Sequence, residues 1–230
     1  MFNNQKPLKK LRDSGSHLWV HSIFMTIQGE GPFSGLPAVF VRLSGCNLQC
    51  PFCDTEYTDN SKKMSNGSIK SEILRLHTIP LGLVVITGGE PFRQDITRLV
   101  NFLIGNGYTV QIETNGTLTI DHDLNEKVHI VCSPKTDKLN SSLKEREVVY
   151  KYVIEHNGTS TTDGLPIRAL GNKVTRQVAR PPGGSPVYVS PMDSKNVKLN
   201  TLNIKETVNS VMKHGHILSL QTHKLIGVEN

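Results

Sequence analysis

Three cysteines, Cys46, Cys50 and Cys53, lie on one short segment of the chain with the spacing C-x3-C-x2-C. A structural zinc ion takes four protein ligands, usually as two separated pairs, and a cubane iron–sulfur cluster takes four thiolates, one for each iron. Three thiolates would therefore hold three irons of a cluster and leave the fourth iron open to a small molecule. The spacing predicts a catalytic iron–sulfur centre.

The remaining cysteine, Cys132, lies far along the chain in the apolar stretch HIVCSP. A free thiol in such surroundings usually packs as a small hydrophobic side chain, and we expect Cys132 in the core. The alternative is a zinc site in which Cys132 or one of the nine histidines supplies the fourth ligand.

Three polar motifs follow apolar runs. TGGEP (87–91) comes after LVVI, ETNGT (113–117) after VQI, and SPK (133–135) after HIVC. Ligands of parallel sheets bind at the carboxyl ends of the strands, where the loops converge. The pattern predicts one shared site, and the glycines of TGGEP would let its backbone approach a ligand closely.

A further polar group lies before the cysteines. Gln28, Gly29 and Glu30 end one apolar run, and Arg42 interrupts the next, PAVFVRL. A guanidinium in such a strand needs an anionic partner. That partner is either Glu30 or a substrate carboxylate held by two parallel hydrogen bonds, and the sequence leaves both open.

The elements that must position these residues are strands alternating with helices. Residues 68–77, 95–104 and 202–214 carry apolar side chains at helical spacing, and Gly215 ends the last segment. Alternation of this kind predicts an α/β fold with a mainly parallel sheet and right-handed crossovers. The strand-like runs between them are WVHSIFMTI, PAVFVRL, LGLVVIT, YTVQIET, HIVCS, VVYKYVI, PVYVS and HILSLQ.

The length of 230 residues suits a single domain, residues 1–230. We expect residues 1–18 to form an N-terminal extension. The stretch 158–186, with TSTTDGLP and ARPPGGSP, is the most loop-like part of the chain and is predicted to be an insertion or a lid.

Composition narrows the classes of function. The net charge is +6, but the basic residues are scattered, which favours a solvated surface over direct nucleic-acid binding. No segment reaches the ~20 apolar residues of a membrane span. Three of the four cysteines are too crowded for a disulfide framework, so a reducing compartment and a cytoplasmic location are expected.

The cysteine loop, with Phe52 directly before the third cysteine, resembles that of radical S-adenosylmethionine enzymes. In such enzymes the amino and carboxylate groups of S-adenosylmethionine chelate the open iron, and an electron from the [4Fe–4S] cluster cleaves the cofactor to a 5′-deoxyadenosyl radical. TGGEP resembles the motif that binds the cofactor's amino group. The segments TIQGEG, GLPAVFVRLSGCNLQCPFCDT, TGGEP, ETNGT, SPK, SPMD and QTHKLIG, between Phe24 and Gly227, together resemble the 7-carboxy-7-deazaguanine synthase family.

This resemblance implies a reduced, partial radical S-adenosylmethionine (β/α) barrel. It implies a carbon–nitrogen lyase that uses Mg²⁺ to convert 6-carboxy-5,6,7,8-tetrahydropterin into 7-carboxy-7-deazaguanine with loss of ammonia, in 7-deazapurine biosynthesis of the preQ0 or queuosine type. The radical would take hydrogen from C6 of the pterin, the ring would contract, and hydrogen would return before ammonia leaves. A homodimer and a reducing partner such as flavodoxin or ferredoxin are also implied.

The resemblance also implies site residues. Arg42 would bind the pterin carboxylate. The implied sets are, for the cluster, Cys46, Cys50 and Cys53; for the pterin, Gln28, Gly29, Glu30, Arg42, Thr87, Glu113 and His223; for S-adenosylmethionine, Gly89, Glu90, Ser133, Pro134, Lys135, Ser190, Pro191, Met192 and Asp193; and for Mg²⁺, Thr55.

Two departures and two alternatives accompany this reading. Ser190 stands where many relatives have glutamine, and the chain ends in GVEN where some relatives end in a proline, so no role is assigned to Asn230. An activase of a glycyl-radical enzyme would share the cysteine spacing, but the QGEG segment and Arg42 argue against an activase. A zinc-binding nucleic-acid module is the alternative outside enzymes.

Overall fold

The computed structural model describes residues 5–53, 55–77, 82–170 and 177–228. Its strands and helices follow the apolar periodicity of the sequence. The strands are β1 (His17–Ile27), β2 (Pro37–Leu43), β3 (Lys62–Ser65), β4 (Leu83–Gly88), β5 (Thr109–Thr114), β6 (His129–Cys132), β7 (Val148–Ile154), β8 (Val187–Pro191) and β9 (Ile217–Leu218). The helices are α1 (Asn66–Leu76), α2 (Thr97–Gly105), α3 (Val197–His214) and α4 (Thr222–Leu225), with 3₁₀ turns at Gly31–Phe33, Pro91–Arg93 and Ser141–Glu145.

Local capping explains where two helices begin and end. The Ser65 side chain accepts a hydrogen bond from Ser68 N and starts α1. Asn196 caps α3 in the same way, which is why this helix begins before the predicted residue 202. Gly215, with a φ of 74°, ends α3 in the left-handed conformation that glycine adopts at little cost.

The nine strands form one sheet in the order β3-β1-β2-β4-β5-β6-β7-β8-β9. Strands β2 and β4 to β9 run parallel, whereas β1 is antiparallel to both β2 and β3. The predicted mainly parallel α/β fold is therefore confirmed. Strand β3 was not predicted, because its sequence KKMS has no apolar run and its conformation depends on pairing with β1.

The sheet curls into a partial barrel. Within the described residues no strand pairing joins β9 to β1, and the C-terminal segment lies against the end of β1 instead. Gly31 N donates to Ser219 Oγ at 3.1 Å, and Thr222 N donates to Gly29 O at 3.2 Å.

Among the described residues, no helix combines the length and apolar character needed to cross a membrane.

Alternation along the strands separates the core from the barrel interior. One face of strands β2 and β4 to β8 is apolar and packs into the main core with α1 and α2. The opposite face turns inward and becomes polar near the carboxyl ends of the strands. Inward residues at this level are Arg42, Thr87, Glu113, Lys151 and Ser190, and core residues from the same strands include Val41, Ile86, Ile112, Tyr152 and Val189.

The N-terminal segment packs along the cysteine loop before the sheet begins. Strand β1 starts at His17, so the last two residues of the predicted extension 1–18 already pair with β3. Leu8 N donates to Cys46 O at 2.7 Å. The side-chain amide of Gln5 donates to Thr55 O at 3.0 Å and accepts from Tyr57 N at 3.1 Å.

The described parts of the stretch 158–186 pack against the SPK motif. Leu170 N donates to Lys135 O at 2.7 Å, and Ala179 N donates to Thr136 O at 2.8 Å. Leu165 is buried in the core. The described parts of the segment are thus packed beside the site, and its role as an insertion or a lid stays a prediction.

Candidate active site

A cavity of about 210 Å³ opens at the carboxyl ends of the parallel strands. Because parallel strands end at the same edge of the sheet, the motifs that follow them in sequence meet there. All three cysteines of the C-x3-C-x2-C segment line this cavity, together with residues of TGGEP, ETNGT and SPK. The structure thus brings the three motifs together in one shared site, as the sequence pattern predicts.

The cysteine loop is held against TGGEP by backbone contacts. Gly89 N donates to Leu43 O and Glu90 N donates to Gly45 O, each at 3.0 Å. A Cβ atom added at Gly89 would clash with the Gly45 carbonyl oxygen, so only glycine allows the two segments to lie this close. This contact fixes the position of Cys46 relative to the end of β4.

The thiols are suited to a cluster in number and placement. Leu48 N donates to Cys46 Sγ at 3.4 Å, an interaction that favours a thiolate. Without a metal, burial raises the pKa of Cys50 to about 12, with the Lys135 ammonium opposing the shift. Cluster ligation requires thiolates, so the protons held by these thiols must leave when the cluster binds.

Cys132 does not belong to this group. It is fully buried in the main core, on the apolar face of β6, and burial raises its pKa to about 12. The prediction that Cys132 packs in the core is confirmed. Three cavity-facing thiols therefore fit a [4Fe–4S] cluster with one open iron better than a four-ligand zinc site.

The Glu90 side chain has a structural role at the ends of β4 and β5. The carboxylate is inaccessible to solvent and accepts hydrogen bonds from Phe92 N, Thr114 Oγ1 and Asn115 N at 3.1, 2.7 and 2.7 Å. Burial raises the pKa of Glu90, and these donors oppose the shift. The side chain thus joins the ends of β4 and β5, and the predicted contact of Glu90 with S-adenosylmethionine has no support from its orientation.

A second cavity, of about 130 Å³, adjoins the first. Arg42 lines it, with its guanidinium 4.9 Å from the centre of the Phe24 ring. The register of the sheet pairs Arg42 with Thr87, which places both at one level of the barrel interior. Residues that line both cavities are Glu30, Thr55, Thr87, Glu113 and Gln221.

Glu113 is the best-supported carboxylate of the second cavity. Its Oε1 atom accepts from Gln28 Nε2 at 3.2 Å and from Gln111 Nε2 at 3.1 Å, and Oε2 accepts from Thr87 Oγ1 at 3.4 Å. Gln28 and Gln111 are almost completely buried. Three donors therefore fix the orientation of Glu113 toward the cavity.

Glu30 forms an ion pair across the barrel interior. Lys151 Nζ lies 2.8 Å from Glu30 Oε2, and Ser190 Oγ donates to Glu30 Oε1 at 3.2 Å. Glu30 thus has a protein partner, Lys151, on β7. Ser190 directs its hydroxyl to Glu30.

His223 and Gly29 meet at the edge of the second cavity. His223 lines that cavity, and a Cβ atom at Gly29 would clash with its Nδ1 atom. Gly29 thus contributes by leaving room for the imidazole and is not itself part of the cavity lining.

The predicted S-adenosylmethionine residues divide into two groups. Gly89, Ser133, Lys135, Ser190, Met192 and Asp193 line the first cavity, whereas Glu90, Pro134 and Pro191 do not. Lys135 Nζ donates to Ser133 O at 3.1 Å and also contacts Ser133 Oγ. Although partial burial raises it, the pKa of Asp193 is held well below its usual value by hydrogen bonds from Lys195 and Asn200.

Sequence reasoning missed several polar residues that line the two cavities or support their lining. Lys151 interrupts the apolar strand VVYKYVI as Arg42 interrupts β2, and the same argument would have found it. Asn115 belongs to a motif that was recognised, but no role was given to it. Gln111 and Gln221 carried no signal, because a lone glutamine is common in strands and loops.

Comparison with known proteins agrees with this geometry. Residues 40–163 match the Radical SAM superfamily. A 7-carboxy-7-deazaguanine synthase of Rhodospirillum rubrum is 40% identical over 220 residues, which cover 93% of this chain and 94% of the relative. One from Rickettsia prowazekii is 38% identical over 242 residues, covering 100% of this chain and 96% of the relative.

A crystal structure of QueE from Escherichia coli has a similar fold. Its TM-score is 0.67 at 23% sequence identity, and the match covers 89% of this chain and 93% of that chain. At this identity the match shows the fold alone, whereas the two bacterial synthases match along nearly their whole length. The chain therefore belongs to the radical SAM superfamily and, within it, to the 7-carboxy-7-deazaguanine synthase family.

Proposed function

We propose that this protein is a lyase that converts 6-carboxy-5,6,7,8-tetrahydropterin into 7-carboxy-7-deazaguanine and ammonia, in 7-deazapurine biosynthesis of the preQ0 or queuosine type. The observation that carries the proposal is the junction of two cavities, one lined by three cysteines and the other by Arg42 and Glu113. The conversion contracts a ring and eliminates ammonia without net oxidation. The ring contraction starts with removal of hydrogen from a carbon atom, C6, a step for which a radical initiator beside a substrate pocket is suited.

The superfamily supplies the initiator. A [4Fe–4S] cluster with S-adenosylmethionine provides, when bound, a radical that abstracts hydrogen from the substrate. In our proposal Cys46, Cys50 and Cys53 hold the cluster. Ser133, Lys135 and the segment 190–193 hold S-adenosylmethionine in the first cavity.

The second cavity would recognise the pterin by charge and hydrogen bonding. Arg42 presents a planar cation to the substrate carboxylate, a geometry that favours two parallel hydrogen bonds. Glu113, held by Gln28 and Gln111, presents carboxylate oxygens to N–H groups of the pterin ring. Such fixed groups orient C6 toward the first cavity, and orientation decides whether a short-lived radical meets its target hydrogen.

Thr55 is the proposed Mg²⁺ ligand. It lines both cavities, as a residue must if the ion is also to contact the substrate. Mg²⁺ prefers oxygen ligands and keeps several waters, so one protein oxygen together with substrate oxygens is a reasonable set. The ion would stabilise negative charge while the ring rearranges.

Further parts of the proposal concern partners and organisation. A one-electron donor such as flavodoxin or ferredoxin would reduce the cluster, in a cytoplasm that keeps thiols reduced. We also propose a single domain and a homodimer. Helix α3 exposes an apolar stripe that a second copy could cover, formed by Val197, Ile204, Val208 and Met212. The molar mass by light scattering tests the dimer.

The deciding experiment is anaerobic cluster reconstitution followed by incubation with the carboxypterin, S-adenosylmethionine, Mg²⁺ and a reductant. We expect 7-carboxy-7-deazaguanine and ammonia in equal amounts. Cleavage of S-adenosylmethionine without the deazaguanine would instead favour an activase. One zinc and no iron per chain after anaerobic purification would overturn the radical mechanism.

A further inference from the structure

The side chain of Asn115 lies between the cysteine loop and the first cavity. It follows β5 in the ETNGT motif, and its backbone N–H is fixed by Glu90 Oε2 at 2.7 Å. Its Nδ2 atom donates to Asn47 Oδ1 at 2.9 Å and lies 3.9 Å from Cys46 Sγ, within the reach of an N–H···S hydrogen bond. Asn115 also lines the first cavity.

The orientation of this amide follows from its neighbours. The backbone N–H of Thr117 lies 3.0 Å from Asn115 Oδ1, and the Thr117 hydroxyl lies 2.5 Å from the same atom. A backbone N–H can only donate, so the atom facing it must be the oxygen. The NH₂ group of Asn115 must therefore face Cys46 Sγ and Asn47.

A closed ring of hydrogen bonds holds the amide in place. Asn47 Nδ2 donates to Thr117 Oγ1 at 2.8 Å, Thr117 Oγ1 donates to Asn115 Oδ1, and Asn115 Nδ2 returns to Asn47 Oδ1. Each member donates to the next, so turning one amide would place donor against donor. The ring adds to the backbone N–H of Thr117, which by itself already directs the NH₂ group of Asn115 toward the sulfur.

Such a hydrogen bond acts on the redox state of a cluster. Negative charge on the cluster and its cysteine sulfurs increases when the cluster accepts an electron, and an N–H donor stabilises that charge. We propose that Asn115 is a positioning residue that acts through Cys46, raises the reduction potential of the [4Fe–4S] cluster and so eases its reduction. The inference rests on the superfamily cofactor and is independent of the substrate.

The test is a redox titration of the reconstituted enzyme, monitored by electron paramagnetic resonance without pterin. Asn115→Leu keeps the number of side-chain heavy atoms and their branching but removes the N–H donor. We expect the ratio of reduced to oxidised cluster at a fixed potential to fall about tenfold, a shift of about 59 mV to more negative values for a one-electron couple. Iron content equal to that of the parent enzyme must accompany the shift.

Thr117→Val is the matched control. It breaks the same ring but leaves the Thr117 backbone N–H on Asn115 Oδ1, and Thr117 does not touch Cys46. We expect its potential to equal that of the parent. An equal shift in both variants would assign the effect to loop structure and overturn the proposal.

Two further results bear on the inference. An unshifted potential in Asn115→Leu, with a raised KM for S-adenosylmethionine, would assign Asn115 to the cofactor and overturn the role at Cys46. If that variant does not take up a cluster, pulsed resonance decides on the unmodified enzyme carrying asparagine labelled with ¹⁵N at Nδ2 alone, which leaves the backbone nitrogen of Asn47, next to Cys46, unlabelled. Coupling of an amide ¹⁵N to the reduced cluster supports the contact and its absence overturns it. Neither result depends on pterin turnover, so failure of the proposed reaction remains distinguishable.

Discussion

Removal of the Lys151 ammonium should destabilise the fold strongly, because its partner would remain buried. The Lys151 and Glu30 side chains are only 10% and 14% exposed, and their charged atoms lie 2.8 Å apart. Loss of one partner from a buried ion pair costs roughly 3–5 kcal/mol. Since the cavity admits water to this pair, we expect Lys151→Met to cost about 3 kcal/mol, the lower end of that range.

The assays are urea unfolding and thermal melting of the reduced protein. For a chain of this size, 3 kcal/mol corresponds to a Tm lower by roughly 6–12 °C. Lys195→Met is the matched control, since Lys195 pairs with Asp193 at the same 2.8 Å but is 56% exposed. An exposed pair contributes about 0–1 kcal/mol, so the control should melt close to the parent.

A double-mutant cycle decides whether the pair itself is responsible. Lys151→Met combined with Glu30→Gln leaves no buried charge in this pair, so we expect the double variant to recover about 2 kcal/mol relative to the sum of the single costs. Costs that add to within about 0.5 kcal/mol would refute the reasoning, because they would mean that Lys151 and Glu30 contribute independently.

Three other substitutions test separate parts of the site. Arg42→Ala should lower kcat/KM for the pterin about 100-fold, which corresponds to about 2.7 kcal/mol, and should change uncoupled S-adenosylmethionine cleavage little. Equal losses in both activities would count against Arg42 as the carboxylate ligand. Glu90→Gln should lower the free energy of unfolding by about 1–3 kcal/mol, since an amide sets an N–H against a buried donor. The control Glu72→Gln, at a partly exposed carboxylate on the helix surface, should cost under about 0.5 kcal/mol. Gly89→Ala should reduce the iron bound per chain by displacing the Gly45 carbonyl, and full iron content in a folded variant would disprove this steric role.

Most of the fold could be predicted because its strands carry their own signal. Residues 37–43 and 148–154 are predicted runs that coincide with β2 and β7, since both are apolar and bounded by turns. Strand β3 could not be placed from sequence, because its conformation depends on pairing with β1. Strand β9 lies within the predicted run HILSLQ, but only two residues of that run pair with β8, so tertiary pairing decided its length.

In the candidate site, too, some residues could be predicted from the sequence and some contacts could not. Arg42 was found because a cation in an apolar strand has few uses other than binding an anion, and Lys151 carries the same signal on β7. The partner of Lys151 could not be inferred, because Glu30 lies on a loop after β1 and reaches β7 only when the sheet curls. Pairings across the barrel interior depend on curvature, which a sequence pattern does not encode.

Strand register gives a rule for which polar residues face the cavity. Arg42 pairs with Thr87, and both share their side of the sheet with Glu113, so an inward polar residue near the end of one strand predicts the side chains beside it. Glu90 lies beyond the end of β4, where the alternation no longer applies, and its carboxylate turns into the protein to hold Asn115. Because both belong to the TGGEP motif, Glu90 and Gly89 were predicted to bind S-adenosylmethionine together. In the structure their roles differ: Gly89 lines the cavity, and Glu90 anchors the loop that carries the Asn115 amide facing Cys46.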